Sequence, residues 1–418
     1  MSGKSWRLLT APLGIIVTGF LLLYFREVPL GISFLPWLVL AVALTVFTQA
    51  LLIASRPQPN LWLFPCVVLL ISMGLVTVAR LSPELLIPQL RWLIIGLSVF
   101  IFSLRLSDLW IGVERWQYIW GIICLILLCL PFAFGTEIGG SRNWIVLGSF
   151  SIQPSELGKI FLVLFLASYL AEHRHVLSLP NHKVFGLMLP PLRFVAPLLV
   201  IWGLAVIMFA LQRDLGAALL FFSVAVIMTY MATGSKSAVF VALLVFLDAT
   251  IFCYFEFPHV TQRFDIWLDP WSDPTGDSYQ LVQSLFAFAA GGVWGTGFAH
   301  GHPGLIPEVH TDFVFAAIAE EWGLIGAVGI MSVYVLFFYE GIRVALNCVE
   351  DSQVLLAAGA VSLFFCQTFI IIGGVTGFLP LTGVTLPFIS YGGSSMVSGF
   401  LLLGILVSLS RKEQRHGH

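Results

Sequence analysis

Charge is what this chain of 418 residues most lacks. Its 20 Lys and Arg and 22 Asp and Glu amount to 10% of the residues, where a soluble chain of this length would carry roughly a quarter, about 104. A surface charged so thinly cannot face water on every side, so a soluble globular fold is excluded. No basic block is longer than Arg411–Lys412 and the net charge is −2, which argues against a nucleic-acid partner. Cysteine is also scarce. Cys66, Cys124, Cys129, Cys253, Cys348 and Cys366 include no C-x-x-C pair, and most lie in apolar runs, where they read as small buried hydrophobes rather than redox or metal ligands. What is present is apolar: 59% hydrophobic residues, with 36 Phe and 13 Trp, against about 45–50% in globular domains. Disorder is excluded by the same numbers. The composition is that of an integral membrane protein.

A hydrocarbon core of about 30 Å requires roughly 20 apolar residues in a helix. Twelve runs qualify: Pro12–Phe25, Phe34–Ile53, Leu61–Ala79, Trp92–Leu104, Trp116–Phe134, Leu157–Ala171, Val195–Leu211, Leu215–Ala232, Ala238–Phe255, Phe313–Tyr339, Val354–Ile372 and Ser394–Leu409. The fourth, sixth and last read short. The first run follows Lys4 and Arg7 as a signal peptide would, but Phe25-Arg26-Glu27 stands where small residues would be needed for cleavage, so it is expected to remain as a span. The fold class is therefore all-α and polytopic, with about 12 transmembrane helices. With the N-terminus in the cytoplasm, thirteen of the 20 Lys and Arg fall in inner segments, six in outer ones, and Lys159 inside a span. That bias predicts a multi-pass membrane protein with an even number of spans and both termini in the cytoplasm.

Three outer connections are long: roughly Gly135–Glu156, Glu256–Asp312 and Gly373–Gly393. The second, between spans 9 and 10, carries Asp265, Asp269, Asp273, Asp277, Glu308 and Asp312 beside a single basic residue, Arg263. Loops beyond about 15 residues are usually either functional or disordered. Its apolar stretch Tyr279–Phe298 is interrupted by Gly291, Gly292, Gly295 and Gly297, which fits a re-entrant or interface-lying segment better than a span. The chemistry is expected to face outward.

Ionisable groups in apolar spans are functional candidates by default. Glu156 and Lys159, three apart at the start of the sixth span, share a helix face; they are either a structural staple or a substrate contact. Asp214, in the short turn Gln212-Arg213-Asp214-Leu215-Gly216, is either a helix N-cap or functional. Asp312, in Pro307-Glu308-Val309-His310-Thr311-Asp312-Phe313, has the same two readings, with Thr311 a rival cap. If a helix runs from Asp312, Glu320 lies about 80° round it and about 12 Å deeper, able to back a site that Asp312 fronts. Glu321 must then find a partner on another helix. Last, the uncharged Leu379–Ser395 segment is too rich in Pro and Gly for a regular helix, and such backbone survives at membrane depth only under protein or beside a water-filled cavity; it is either a plain turn or a cavity lining.

In this order these strings resemble the SEDS family (shape, elongation, division and sporulation), whose members include FtsW, RodA and SpoVE. Its first signature reads here as Gly140-Ser141-Arg142-Asn143-Trp144-Ile145, Leu147-Gly148, Ile152–Glu156 and Lys159. Its Q-P-D-L-G appears as Gln212–Gly216 with Arg213 replacing Pro. Asp277–Gln280, the Gly291–Gly297 segment, Pro307–Phe313, Glu320–Gly323 and Leu379–Ser395 match the remainder. The arginine that normally precedes the tryptophan is displaced by one, so Asn143 occupies its place and Arg142 stands earlier. The family pattern has ten spans. Residues 61–410 therefore form a SEDS-like core, 1–60 two additional N-terminal helices, and 411–418 a cytoplasmic tail.

What the resemblance implies is an inverting peptidoglycan glycosyltransferase that polymerises Lipid II, with its undecaprenyl pyrophosphate leaving group, at the outer membrane face during cell division or elongation. A class B penicillin-binding transpeptidase is the implied partner, membrane lipid the surroundings. Asp312 is the implied catalytic carboxylate, supported by Trp144, Arg142, Glu156, Lys159, Asp214, Gln280, His310, Glu320, Ser390 and Ser394. Trp144 is expected to pack or contact substrate at the outer face rather than anchor in lipid. Asp312 is also a candidate ligand for a divalent cation, Mg or Mn; no organic cofactor is expected. The rivals are a Lipid II flippase or precursor transporter, with the buried charges as a polar path, and a non-catalytic scaffold for the transpeptidase. The heaviest acidic cluster lies in one outer loop, which favours chemistry at a face over a path across the membrane.

Overall fold

Long apolar runs in lipid have one way to satisfy their own N–H and C=O groups, which is to close them into helices. The computed structural model describes residues 6–138, 141–148, 150–178, 182–184, 187–189 and 192–411. Lys4, Gly140 and, Arg411 apart, the tail assigned to 411–418 lie outside these. Among the described residues twelve helices are long and apolar enough to cross a membrane: α1 (Thr10–Phe25), α2 (Leu35–Ala54), α3 (Leu63–Leu81), α4 (Leu86–Arg105), α5 (Gln117–Phe134), α6 (Pro154–Ser178), α7 (Leu192–Gln212), α8 (Leu215–Thr233), α9 (Lys236–Glu256), α12 (Val314–Asn347), α13 (Asp351–Val375) and α14 (Gly393–Ser410). Two shorter helices, α10 (Pro258–Leu268) and α11 (Tyr279–Gly291), lie in the long connection between α9 and α12. The chain is a multi-pass, all-α membrane protein.

Three span limits differ from expectation, each for a local reason. The fourth helix begins at Leu86, not Trp92. Pro88 sits in its first turn, where no N–H partner is lost. The sixth starts at Pro154 and runs 25 residues, because Glu156 and Lys159 neutralise each other inside it. The tenth extends to Asn347 but is broken at Gly323, whose φ of 64° is non-helical. The Gly135–Glu156 loop carries a small antiparallel sheet, Thr136–Ile138, Ser141–Leu147 and Phe150–Ile152, in that order.

The chain divides into two compact units. The first comprises Met1–Arg105, Asp265–Gly341 and Gln367–His418. Its core is α14 lying along α4, with Phe100 stacked on Phe64 at 5.4 Å and edge-on to Phe400 at 6.2 Å. A Cβ at Gly96 would meet the Phe400 ring at 2.5 Å, so the absence of a side chain there sets how closely the two helices approach. The two N-terminal helices pack onto this core, α1 on α3 and α2 on α4, and Arg91 lies over the Trp37 ring at 4.9 Å. The second unit comprises Leu106–Phe264 and Ile342–Cys366, with α5 against α6 and α8 against α6. An apolar cavity of about 530 Å³ opens among α6, α7, α8 and α9, lined by Phe165, Trp202, Phe222, Val226 and Ala242 among others.

Candidate functional site

In the first unit the Leu379–Ser395 segment is not helical at Leu386–Tyr391 but is buried there, with Leu386, Phe388 and Ile389 almost inaccessible. Backbone buried so needs partners, and neighbouring side chains supply them. Gln367 Nε2 donates to the Thr385 carbonyl at 2.9 Å, the Tyr334 hydroxyl to that of Pro387 at 2.5 Å, and Gln89 Nε2 to that of Ser390 at 3.3 Å. Gly74 makes room, since a Cβ there would sit 2.5 Å from the Ile389 oxygen. The segment is covered by protein rather than left as an open turn.

Its end clasps the turn before α12. The Ser390 hydroxyl donates to the Thr311 carbonyl at 2.5 Å and accepts from Leu386 N at 2.9 Å. Tyr391 N donates to the His310 carbonyl at 2.9 Å, and the two rings meet edge-on at 5.8 Å. His310 Nε2 lies 3.6 Å from the Glu308 carboxylate, and its Nδ1 lies 3.5 Å from the Ser82 hydroxyl. Asp312 follows directly, half-buried, with its carboxylate 3.5 Å from where a Cβ on Gly383 would be. Asp312, His310 and Ser390 are thus brought together. Ser394 is buried at the start of α14, and Gln280 sits half-buried in the first turn of α11; neither takes part in the clasp.

Glu320 and Glu321 have other tasks. The Glu320 carboxylate accepts from His302 N at 2.7 Å, and its carbonyl accepts from Thr296 N at 2.9 Å, so it fastens the 296–302 loop. Glu321 pairs with Arg80 of α3 at 3.3 Å, the inter-helix partner its position demanded. The glycines of this region explain themselves together. At the Gly323 break, Leu324 N and Ile325 N donate to the carbonyls of Gly292 and Val293, and a Cβ on Gly295 would meet the Glu321 carbonyl at 2.2 Å. The glycine-rich end of the Tyr279–Phe298 segment plugs into the open turn of α12.

The second unit gathers the other candidates. Asp214 caps α8, accepting from Ala217 N at 2.9 Å. Its other oxygen accepts from Asn143 Nδ2 at 2.7 Å and Gln153 Nε2 at 3.0 Å. Desolvation by burial outweighs these three donors and, with the Glu156 charge nearby, pushes the Asp214 carboxyl above the ordinary carboxylate range. Glu156 and Lys159 are paired at 2.5 Å, the lysine buried. Strand alternation sends Asn143 inward and Arg142 outward, where Arg142 Nε donates to the Gly135 carbonyl at 3.2 Å. Trp144 is half-buried, its carbonyl accepting from the Thr136 hydroxyl. Asn143, Gln153, Ser82 and Tyr391 escaped the sequence reading, which searched for charge. Asn143 had one signal, its occupation of the displaced arginine's place.

Fold and site together define a polytopic all-α membrane protein with a carboxylate held at a helix mouth. The family model for cell cycle proteins of the FtsW, RodA and SpoVE type matches residues 38–415, and the chain belongs to that family. It is 38% identical over 387 residues to the peptidoglycan glycosyltransferase RodA of Mycobacterium tuberculosis (strain ATCC 25618 / H37Rv), covering 89% of this chain and 82% of the relative. It is 33% identical over 372 residues to the stage V sporulation protein E of Bacillus subtilis (strain 168), covering 85% and 98%. Among solved structures, one from a study of how a peptidoglycan synthase complex coordinates polymerization and crosslinking superposes with a TM-score of 0.71 at 28% identity, covering 85% of this chain and 99% of that one.

Proposed function

We propose that this protein is a peptidoglycan glycosyltransferase that polymerises Lipid II into glycan strands. The observation that carries the proposal is the clasped turn at Asp312 in a chain whose relatives bear that activity by name. The Asp312 carboxylate takes the proton of the acceptor sugar's 4-hydroxyl as that oxygen attacks the donor's anomeric carbon. The bond to undecaprenyl pyrophosphate breaks in the same displacement, and the centre inverts. Ser390 and Tyr391 hold the backbone on the N-terminal side of Asp312, so the base is in position before substrate arrives. Glu156 and Lys159 form a buried polar pair in the second unit. The Lys and Arg asymmetry supports cytoplasmic termini, which puts the Asp312 turn on the outer face.

Among the described residues no three His, Cys, Asp or Glu side chains form a metal cage. Asp312 would be the residue to hold Mg or Mn, since Mg²⁺ commonly takes only one or two protein carboxylates. Such a cation would supply charge neutralisation for the leaving pyrophosphate. The relative from a peptidoglycan synthase complex supports a crosslinking partner, which we take to be a class B penicillin-binding transpeptidase.

The test is the purified protein with labelled Lipid II, with and without that partner. Glycan polymer is the expected product, and Asp312→Asn should lower turnover by about 10²–10⁴ while the near-isosteric side chain leaves folding intact. Titration with Mg separates a lost base, which added cation cannot restore, from a weakened ligand, which it can. A folded Asp312→Asn protein polymerising at the wild-type rate would refute the assignment.

A further inference from the structure

Among the twelve spans α9 stands alone. Its mean hydropathy of 2.3 is among the highest, yet none of its residues is buried. It meets its unit through Phe246, whose ring stacks on Phe222 at 4.0 Å, and through the wall that Val239, Ala242 and Val245 give to the cavity. Two residues on from Phe246 the helix has turned about 200°, and there stands Asp248. It is exposed, between the exposed side chains of Leu244, Leu247, Ile251 and Phe252. Among the described residues no hydrogen bond or ion pair reaches its carboxylate.

Depth makes this informative. At 1.5 Å per residue Asp248 lies about 18 Å along the helix from Lys236 and about 12 Å from Glu256, near the middle of a hydrocarbon core of about 30 Å. A carboxylate facing acyl chains at that depth is strongly disfavoured, and intramembrane charges are commonly met by a partner group. Lipid tails offer no donor. A second copy docking by this face about a two-fold axis would bring like carboxylates together. We propose that the outward face of α9 docks one transmembrane helix of a partner protein, and that an arginine or lysine near the middle of that helix pairs with Asp248. The Asp312 turn plays no part in this contact.

The experiment uses the full chain, acceptor-labelled at its C-terminus, in phosphatidylcholine vesicles. The probe is a donor-labelled Leu/Ala-rich transmembrane peptide of about 23 residues with one central arginine; its twin has leucine there. Energy transfer above random encounter is expected for the arginine peptide alone. Asp248→Asn and Asp248→Leu should each weaken it by about tenfold or more, and Asp248→Lys should instead recruit a peptide with a central glutamate. Asp248→Leu adds only a lipid-compatible side chain, so it should insert, elute as wild type and polymerise Lipid II normally. The proposal is overturned if the two peptides associate equally, if the arginine peptide binds Asp248→Leu as it binds wild type, or if α9 pairs only with a second copy of the chain.

Discussion

Replacing Ser390 by alanine tests whether the clasp on the Asp312 turn matters for turnover. The hydroxyl serves two buried backbone groups, the Leu386 N–H at 2.9 Å and the Thr311 carbonyl at 2.5 Å, and Ser390 is 4% exposed. A buried group left without its partner costs about 1–3 kcal/mol. Leu386 is 1% exposed and its N–H has no other recourse. Thr311 is half-buried, so its carbonyl regains part of its loss from water. The sum is about 2–4 kcal/mol, concentrated in the loop and the turn that carries Asp312. If about half of it appears as loss of the productive turn geometry, turnover falls by about five- to thirtyfold, since 1.4 kcal/mol is a factor of ten. That is milder than loss of the carboxylate itself. Initial rates on fluorescent Lipid II with monodisperse protein provide the assay. A turn that positions the base should lower kcat with little change in KM, because ground-state binding of the lipid is untouched. A monodisperse Ser390→Ala protein with the wild-type kcat would refute the positioning role.

Two further outcomes are expected. Gly323→Ala puts a Cβ 2.3 Å from Gly295 N and 2.5 Å from the Val293 carbonyl, at a φ of 64°; both neighbours are backbone, so the loss should exceed about 3 kcal/mol. Gly329→Ala, with nothing within 4 Å, should melt as wild type in the same detergent. For orientation, a cysteine placed at Asp273 should react with an impermeant thiol reagent added outside the cell; labelling only after the membrane is broken would reverse the topology.

How much of this was readable beforehand depended on what each residue's signal was. The twelve spans were legible because apolar length is a signal in itself. Their ends were obscured where a polar residue is locally satisfied, as at Pro88 in a first turn and at the Glu156–Lys159 pair. Glu321 was correctly expected to need another helix, because a lone buried charge must be paired. Glu320 was harder. The angular argument that set it behind Asp312 takes the helix to begin at Asp312, whereas α12 begins at Val314. The loop that occupies its carboxylate, at His302, returns from 18 residues earlier, and no local pattern reports such a contact. The Ser390–Thr311 bond joins segments 79 residues apart and was invisible for the same reason. Asn143 was legible only as an irregularity: a neutral side chain in a place that charge normally occupies. Its bond to Asp214 gives the irregularity a meaning, since a buried acid raised by desolvation can be held by an amide.

That reading of Asp214 leads to a pH experiment with a definite sign. Its carboxyl is raised above the ordinary value of 3.8 in the folded protein, burial being the largest cause. Between the unfolded and folded values the native state binds more protons, so stability falls as pH rises through that window. The favourable contribution is complete below the unfolded value and is lost above the folded one. Asp214→Asn removes the titration but keeps a side chain that caps a helix comparably well. Asn143 and Gln153 both donate to one Asp214 oxygen, and either amide can rotate to meet an NH₂ instead. In detergent, the Tm of Asp214→Asn relative to wild type should therefore rise as pH increases from about 4 and level off above the folded value. The activity loss should be smaller than for Asp312→Asn, because Asp214 is occupied by the α8 cap and two amide donors. A Tm difference that stays flat across this range would mean that burial does not raise the Asp214 carboxyl. One that moves against the variant as pH rises would mean that the donors from Ala217, Asn143 and Gln153 outweigh desolvation, and that the group is held as a charge.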